Sequence, residues 1–410
     1  MSLQQADLPE PSADARAASM ALLHLIAAEI DAGGGWISFA RYMELALYAP
    51  GLGYYSGGSH KFGGQHTGGD FLTAPELTPL FAGALARQMA QILAASSPQV
   101  IEAGAGSGRL AADLLPALAA LDCLPERYRI LELSGELRAR QQATLTERAP
   151  QFVDRVEWLD ELPQSFSGCL IGNELLDAMP THALRWSDAG DAPAILERGV
   201  GLEHGRLAIA ERPASGALLE AAQALGVRAP YRSEISLAAR SWVSELARRL
   251  EQGALLLIDY GLPRHELYHP LRDGGTLRCH YRHRVHDEPF WFPGLSDITS
   301  HVDFTAVAEA GFDAGLEVLG YTSQAGFLLN CGIGELLQDV KVGAGNTASA
   351  RDTVAGAAGD MRPADLRARG AVNVLISPNE MGELFKVIAL GRAVARPLLG
   401  FRRGDRVHAL

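Results

Sequence analysis

The sequence predicts an α/β protein built on an open, mostly parallel sheet of the Rossmann-like kind. Three observations carry that prediction. Short apolar runs that read as buried parallel strands alternate with segments of helical period. A glycine-rich turn, Gly104-Ala105-Gly106-Ser107-Gly108, joins the apolar run 100–103 to a helix start at Arg109. Polar residues end three of the runs, at Glu102, Glu132 and Asn173, which is where open α/β sheets bind ligands.

In chain order, residues 1–14 form a polar lead, expected to be disordered. Residues 17–31 are helical by period, and 36–48 restart a helix with Ser38 as a fitting N-cap. From 49 to 75 the composition turns glycine-rich and aromatic, with Asp70 embedded. A loop that long inside a folded chain is usually functional, and it reads as a lid over a substrate. A helix over 76–94 leads into the glycine turn. The second strand ends in Glu132. A helix over 135–148 and a short third strand, 156–159, follow, the latter carrying Glu157 and Trp158.

The fourth strand, 168–173, runs into Asn173-Glu174-Leu175-Leu176-Asp177-Ala178-Met179-Pro180. Residues 182–213 break the alternation with short runs of period two and turn signals, so an inserted β-ribbon subdomain is expected around 181–230. A helix over 234–251, a fifth strand over 254–261, a helix over 304–310 and a sixth strand over 316–321 complete the pattern. Residues 339–362, rich in Ala, Gly, Asp and Thr, read as a flexible connection. Three segments result: N-terminal helices and a lid loop (1–95), a ligand-binding core with the insertion (96–335), and a connection with a C-terminal closing segment (336–410).

Composition removes several function classes. The chain has 410 residues and is 48% hydrophobic, enough for a sizeable core. Its formal net charge of −12 disfavours a surface that tracks phosphates, so no nucleic acid is expected as partner. No apolar, uncharged stretch reaches the ~20 residues of a membrane span. The first residues resemble neither a secretory signal nor a transit peptide, which points to a bacterial cytoplasmic location. Cys123, Cys169, Cys279 and Cys331 are far apart and read as reduced thiols. Cys279, His280, His283 and His286 cluster without any metal-site spacing, so no metal is expected.

The glycine turn narrows the ligand. A dinucleotide fingerprint needs glycine where Arg109 stands, and a phosphate loop needs Gly-Lys-Ser/Thr, which is absent. Glu102, just before the glycines, would repel a pyrophosphate but suits an ammonium group. S-adenosylmethionine (SAM) has that group, a sulfonium charge and no phosphate. Gly104, Gly106 and Gly108 then let the backbone approach it. Glu132, 24 residues after Gly108, would accept hydrogen bonds from the ribose, with Leu133 beside it. Glu157 and Trp158 would flank the adenine. Asn173, Glu174 and Asp177 lie where a methyl group would be transferred, with Asn173 shared with the cofactor. Asp297, His301 and Asp303 form a polar cluster that either lines a pocket or caps a helix.

Taken together, the motifs resemble the MidA family of SAM-dependent methyltransferases. The stretches that carry the resemblance are Tyr48-Ala-Pro-Gly-Leu-Gly-Tyr-Tyr, Gly69-Asp-Phe-Leu-Thr-Ala-Pro-Glu, Glu102-Ala-Gly-Ala-Gly-Ser-Gly, Leu131-Glu-Leu-Ser and Asn173-Glu-Leu-Leu-Asp-Ala-Met-Pro. Leu257-Ile-Asp-Tyr-Gly, Gly275-Thr-Leu-Arg-Cys, Asp297-Ile-Thr-Ser-His-Val-Asp-Phe and Met381-Gly-Glu-Leu-Phe-Lys-Val extend it, so it spans about residues 36–390. The resemblance implies a class I methyltransferase fold with an N-terminal helical and loop region. It also implies kinship with a mitochondrial complex I assembly factor described as a protein arginine methyltransferase. A protein substrate follows, with a respiratory-complex subunit as the model case; the oligomeric state is left open.

The expected function is therefore methylation of a protein arginine. A guanidinium is always charged and needs acids to hold it. Asp70, Glu174 and Asp177 are the candidate acids, and Asn173 would orient the acceptor. Two other classes stay open: a small-molecule methyltransferase, and a SAM-binding assembly factor without turnover. DNA amino-methylation is disfavoured, because Glu174 replaces the first proline of the D/N-P-P-Y/F motif.

Overall fold

The computed structural model describes residues 8–57, 73–188, 194–345 and 363–410. The chain opens with α1 (Ala13–Ala32) and α2 (Phe39–Tyr48), followed by α3 (Ala74–Leu77) and α4 (Pro79–Ala94). The Rossmann-like half runs β1 (Gln99–Ala103), α5 (Arg109–Ala120), β2 (Arg127–Leu131), α6 (Gly135–Arg148), β3 (Val156–Leu159) and β4 (Phe166–Asn173). The insertion is β5 (His182–Ser187), β6 (Ala194–Glu203), β7 (Arg206–Pro213), α7 (Gly216–Ala224) and β8 (Tyr231–Ile235). Then come α8 (Leu237–Arg249), β9 (Leu250–Leu262), α9 (Arg264–Leu267), β10 (Arg278–Tyr281), β11 (Arg284–His286), β12 (Asp297–Thr299), β13 (Val302–Asp303) and α10 (Phe304–Asp313). The chain closes with β14 (Glu317–Ser323), α11 (Gln324–Asn330), α12 (Ile333–Gly345), α13 (Pro363–Ile376), α14 (Met381–Leu384) and β15 (Phe385–Arg392).

The main sheet has the order β14-β15-β9-β4-β1-β2-β3, with β13 added beside β9. From β9 to β3 all pairs are parallel, while β15 is antiparallel to both β9 and β14. Strand order reverses between β1 and β4, so a crevice opens there at their C-terminal ends. Alternation along β9 shows how sequence sets the layers. Ala254, Leu256 and Ile258 face the core that holds α4 and α5, and Leu255 and Leu257 face the core that holds α8 and α10. This is a Rossmann-like, doubly wound architecture with an antiparallel pair at one edge.

Local chemistry explains where elements begin and end. Ser12, Ser38, Ser134, Ser236 and Asp303 each cap a helix by accepting a backbone N–H three residues on. The expected helix over 76–94 is two helices. Thr78 is extended (φ −165°, ψ 142°) and caps α4 through Leu80, and Pro79 opens the new helix without needing a donor.

Other expectations are corrected. The polar lead gives way to α1 at Ala13. The insertion is a four-stranded antiparallel sheet, β7-β6-β5-β8, that reaches Ile235, past the expected 230. Two-residue periodicity in 231–235 was masked by the helical pattern just after it, so the helix expected from 234 starts at Leu237. The expected flexible connection over 339–362 is helical to Gly345; residues 346–362 lie outside the described residues. β15 is an interior strand of the main sheet, so the closing segment is part of the core sheet.

The N-terminal helices pack beside the insertion. Ile37 and Val200 exchange backbone hydrogen bonds of 3.0 and 2.8 Å, and the Trp36 indole donates to the carbonyl of Ala210 at 2.8 Å. β10 to β12 form a separate three-stranded sheet whose Cys279 and Ile298 join the same apolar cluster as α1 and α2. These contacts bring α2 and β12 to the mouth of the β1–β4 crevice.

Candidate active site

A cavity of about 1100 Å³ occupies that crevice, lined by the ends of β1, β2 and β4, by α2 and the turn after it, and by residues around α3. Its floor is the glycine turn. Gly104, Gly106 and Gly108 have φ of 71°, 52° and 80°, the left-handed region that favours glycine. A Cβ on Gly108 would also lie 2.9 Å from the Cα of Gln141, so the missing side chain is what lets α6 pack on the turn.

Glu102 is buried on the cavity wall, and the Tyr128 phenol donates to its carboxylate at 2.6 Å. Burial pushes the Glu102 carboxyl up to about 7, against the pull of that hydrogen bond. Glu132 accepts the Ser134 N–H at 2.9 Å and the Gln141 side-chain amide at 3.1 Å. Burial raises its pKa as well, with these hydrogen bonds working against the shift. Next to it, Leu133 is 79% exposed on the same wall.

Gln141 ties the region together. It is fully buried, donates to the Gly106 carbonyl at 3.2 Å as well as to Glu132, and accepts the Trp158 indole N–H at 2.8 Å. That last bond corrects one expectation. Neither Trp158 nor Glu157 lines the cavity: Trp158 is held by Gln141 and packs on the core, and Glu157 pairs with Arg129 at 3.2 Å. The residues just past β3, Asp160, Glu161 and Leu162, line the cavity instead.

The fourth strand supplies the opposite wall. Asn173, Glu174 and Asp177 all line the cavity. Glu174 sits at φ 53°, a strained conformation for a non-glycine residue. Its carboxylate accepts the Asn173 side-chain amide at 3.1 Å and the Ala74 N–H. Burial and the charge of Asp177 push Glu174 up to about 8. Asp177 is 5% exposed; burial pushes it up to about 6, and a hydrogen bond from the Tyr260 phenol opposes that shift. Asn173 Oδ1 and Asp177 Oδ1 are buried with no hydrogen-bond partner among the described residues.

The turn that presents these groups hangs on Asp259. One of its oxygens accepts the N–H groups of Leu175, Leu176 and Asp177 at 3.0, 2.7 and 3.3 Å, and the other accepts that of Tyr260 at 3.0 Å. Glu76, on α3, receives the Ser107 hydroxyl and lies 3.9 Å from Arg109. Thus α3 touches the glycine turn through Glu76 and the fourth-strand end through Ala74. Asp70 lies outside the described residues.

Sequence reasoning missed Glu76, Gln141, Asp259, Tyr48, Tyr55, Tyr260 and Asp160 as contributors. Asp259 and Tyr260 had a usable signal, an acid and a phenol at the C-terminal end of a strand. Gln141 had none, because a glutamine within a helix looks like surface. The polar cluster near 300 divides: Asp297 lines the cavity, Asp303 caps α10 and pairs with Arg264 at 3.3 Å, and His301 lies against the Tyr260 ring. Among the described residues, no group of three His, Cys, Asp or Glu could hold a metal ion.

The charge of the cavity is one-sided. Among the described residues, Glu44, Glu76, Glu102, Glu132, Glu136, Asp160, Glu161, Glu174, Asp177 and Asp297 line it, against one base, Arg109. That base is itself paired with Asp113 at 2.6 Å. An open glycine turn, an exposed leucine beside an acid, and a wall rich in carboxylates fit a nucleoside that carries cationic groups.

The sheet order and this cavity define a SAM-dependent methyltransferase of class I. The chain belongs to the family described as "Putative S-adenosyl-L-methionine-dependent methyltransferase", whose model matches residues 84–322. It is similar to a solved COG1565 superfamily member from Burkholderia thailandensis bound to S-adenosyl-homocysteine. The two are 49% identical with a TM-score of 0.90, over 98% of this chain and 100% of that one. It is also 28% identical to the protein arginine methyltransferase NDUFAF7, mitochondrial, of Danio rerio, over 90% of this chain and 86% of the relative. The Caenorhabditis elegans homolog of that protein is 27% identical over 73% of this chain and 74% of its own. SAM is the cofactor, and the MidA resemblance stands. No helix among the described residues is long and apolar enough to cross a membrane.

Proposed function

We propose that this chain transfers a methyl group to a guanidinium nitrogen of an arginine in a protein partner. One observation carries the reading: two buried acceptors without partners among the described residues, Asn173 Oδ1 and Asp177 Oδ1, lie on the wall of a cavity that those residues line mostly with carboxylates. Such acceptors want donors, and a guanidinium offers five N–H groups in a plane at fixed positive charge. The names of the NDUFAF7 relatives agree in substrate class.

On this reading the chain divides the work along the crevice. Gly104 and Gly106, which line the cavity, hold the cofactor with main-chain groups, while Gly108, whose N–H donates to the Ala105 carbonyl at 2.8 Å, only shapes the turn. Glu132 takes the ribose, Leu133 covers one face of the adenine and Glu102 meets the ammonium end. SAM supplies an electrophilic methyl on a sulfonium. Asn173 and Asp177 hold the acceptor nitrogen in line with it, so catalysis is mainly alignment and exclusion of water. The nitrogen that gains a methyl must lose a proton, and the Glu174 carboxylate takes it. Arrival of the cation lowers the raised pKa of Glu174, because an opposite charge favours the ionised form.

The test is transfer from labelled SAM to proteins of a bacterial lysate, followed by hydrolysis and identification of the labelled amino acid. Methylarginine made by the wild type and lost in Glu174→Ala is the expected result. Label confined to the low-mass fraction, or equal labelling by both proteins, would overturn the assignment.

A further inference from the structure

We propose that Asp297 is a second carboxylate of the acceptor seat, and that Asp297 and Asp177 together select a planar guanidinium over an ammonium. This rests on the arginine reading above and adds a specificity-determining residue to it.

Asp297 opens β12, is 5% exposed and lines the cavity. Its Oδ1 accepts the Tyr55 phenol at 2.9 Å, from a residue 242 positions away in sequence. Tyr55 stacks on Tyr48 with ring centroids 5.5 Å apart and planes 21° from parallel. The Tyr48 phenol in turn donates to the carbonyl of Ala178 at 2.9 Å. Three residues past Asp297, the Ser300 N–H donates to the carbonyl of Asp177 at 3.0 Å. The turn after α2, the turn after β4 and the β12 segment are therefore tied together around one end of the cavity.

Asp177 is built in the same way. A tyrosine, Tyr260, donates to its carboxylate, its N–H is held by Asp259, and its Oδ1 is buried without a partner among the described residues. Burial first, and then the charges of Asp297 and Asp177, push the Tyr48 and Tyr55 phenols up, so both remain hydrogen-bond donors. Each carboxylate is thus oriented by a phenol from a different element. Two carboxylates fixed this way match the forked donors of a guanidinium better than the three donors of an ammonium. The tyrosine pair adds aromatic faces beside the cation.

The experiment uses the full chain and two random-sequence peptide pools, one with a fixed central arginine and one with a central lysine, with labelled SAM. Affinity for S-adenosyl-homocysteine, measured by calorimetry, reports the fold and the cofactor site separately. Asp297→Asn should lower kcat/KM on the arginine pool roughly 10- to 100-fold, the effect of one charge-assisted hydrogen bond, and narrow the arginine-to-lysine ratio. Tyr55→Phe should raise KM more than it lowers kcat, and both variants should keep wild-type affinity for S-adenosyl-homocysteine. Arginine labelling by Asp297→Asn within about twofold of wild type overturns the assignment of Asp297 alone. Equal losses of labelling and of S-adenosyl-homocysteine affinity also overturn it, because they describe a purely structural residue. A wild type silent on the arginine pool overturns the arginine reading, and this one with it.

Discussion

Gln141 donates to Glu132 at 3.1 Å from nine residues along the chain, and so fixes the acid at the end of β2 from the helix behind it. The same side chain holds the Gly106 carbonyl, which couples the ribose side of the cavity to the glycine turn. Glu132→Ala should weaken SAM binding roughly 10- to 100-fold, the worth of one or two hydrogen bonds to a charged group. Gln141→Leu should weaken it less, since Ser134 still holds Glu132. Calorimetric titration of both variants checks the order; unchanged affinity in Glu132→Ala would refute the geometry.

Gly108→Ala should fail for two reasons at once. The residue would keep a φ of 80°, and its methyl would press on the Gln141 backbone at 2.9 Å. The combined cost is roughly 2–4 kcal/mol, seen as a lower denaturant midpoint. Gly135→Ala, where a Cβ meets nothing within 4 Å, is the matched control and should change little.

Asp259→Ala should release the turn after β4. Four backbone N–H groups lose their acceptor, which costs roughly 3–5 kcal/mol of stability. At temperatures where the variant still folds, turnover should drop more than SAM affinity, because Asp177 moves while the glycine turn does not. A variant as stable as wild type, measured by urea unfolding, would show that those N–H groups find other partners.

Glu174 sets a pH dependence with a definite sign. Its folded pKa, about 8, lies above the ordinary value of 4.5. The folded state therefore holds a proton that the unfolded state has lost over that interval. Stability from this group is complete below about pH 4.5 and is lost as pH rises through 8. Glu102, pushed up to about 7, acts in the same direction. Without ligand, the wild-type Tm should fall between pH 5 and pH 8.5. Glu174→Gln should flatten that fall, with little change at pH 5. Parallel curves for the two proteins would remove Glu174 as a contributor.

The parallel half of the fold was legible because each strand is a short apolar run followed by a turn signal, and because the glycine turn marks the ligand end. Glu102, Glu132, Leu133 and Asn173 were placed on the cavity by the single rule that open sheets bind ligands at strand C-termini. The same rule misdirected Glu157 and Trp158, which lie inside β3 while the cavity begins one residue past it. Asp297 was legible as a pocket candidate, but its pairing with Tyr55 was beyond reach. Their meeting depends on packing between elements more than two hundred residues apart, and no local pattern encodes that. Thr78 shows the smaller error: helical period continues across the expected 76–94, and only the cap geometry reveals a break.

Strand β15 lies between β9 and β14, yet it follows both in sequence by more than sixty residues. On a ribosome, β14 emerges with nothing to pair with, because its neighbour in the finished sheet has not yet been made. The parallel strands β1 to β4 and β9 can assemble first; the antiparallel edge must wait. Synthesis order thus separates completion of the cofactor crevice from closure of the sheet. A chain stopped before Phe385 would carry the full glycine turn and fourth strand but would leave β9 as an open edge exposed to other chains.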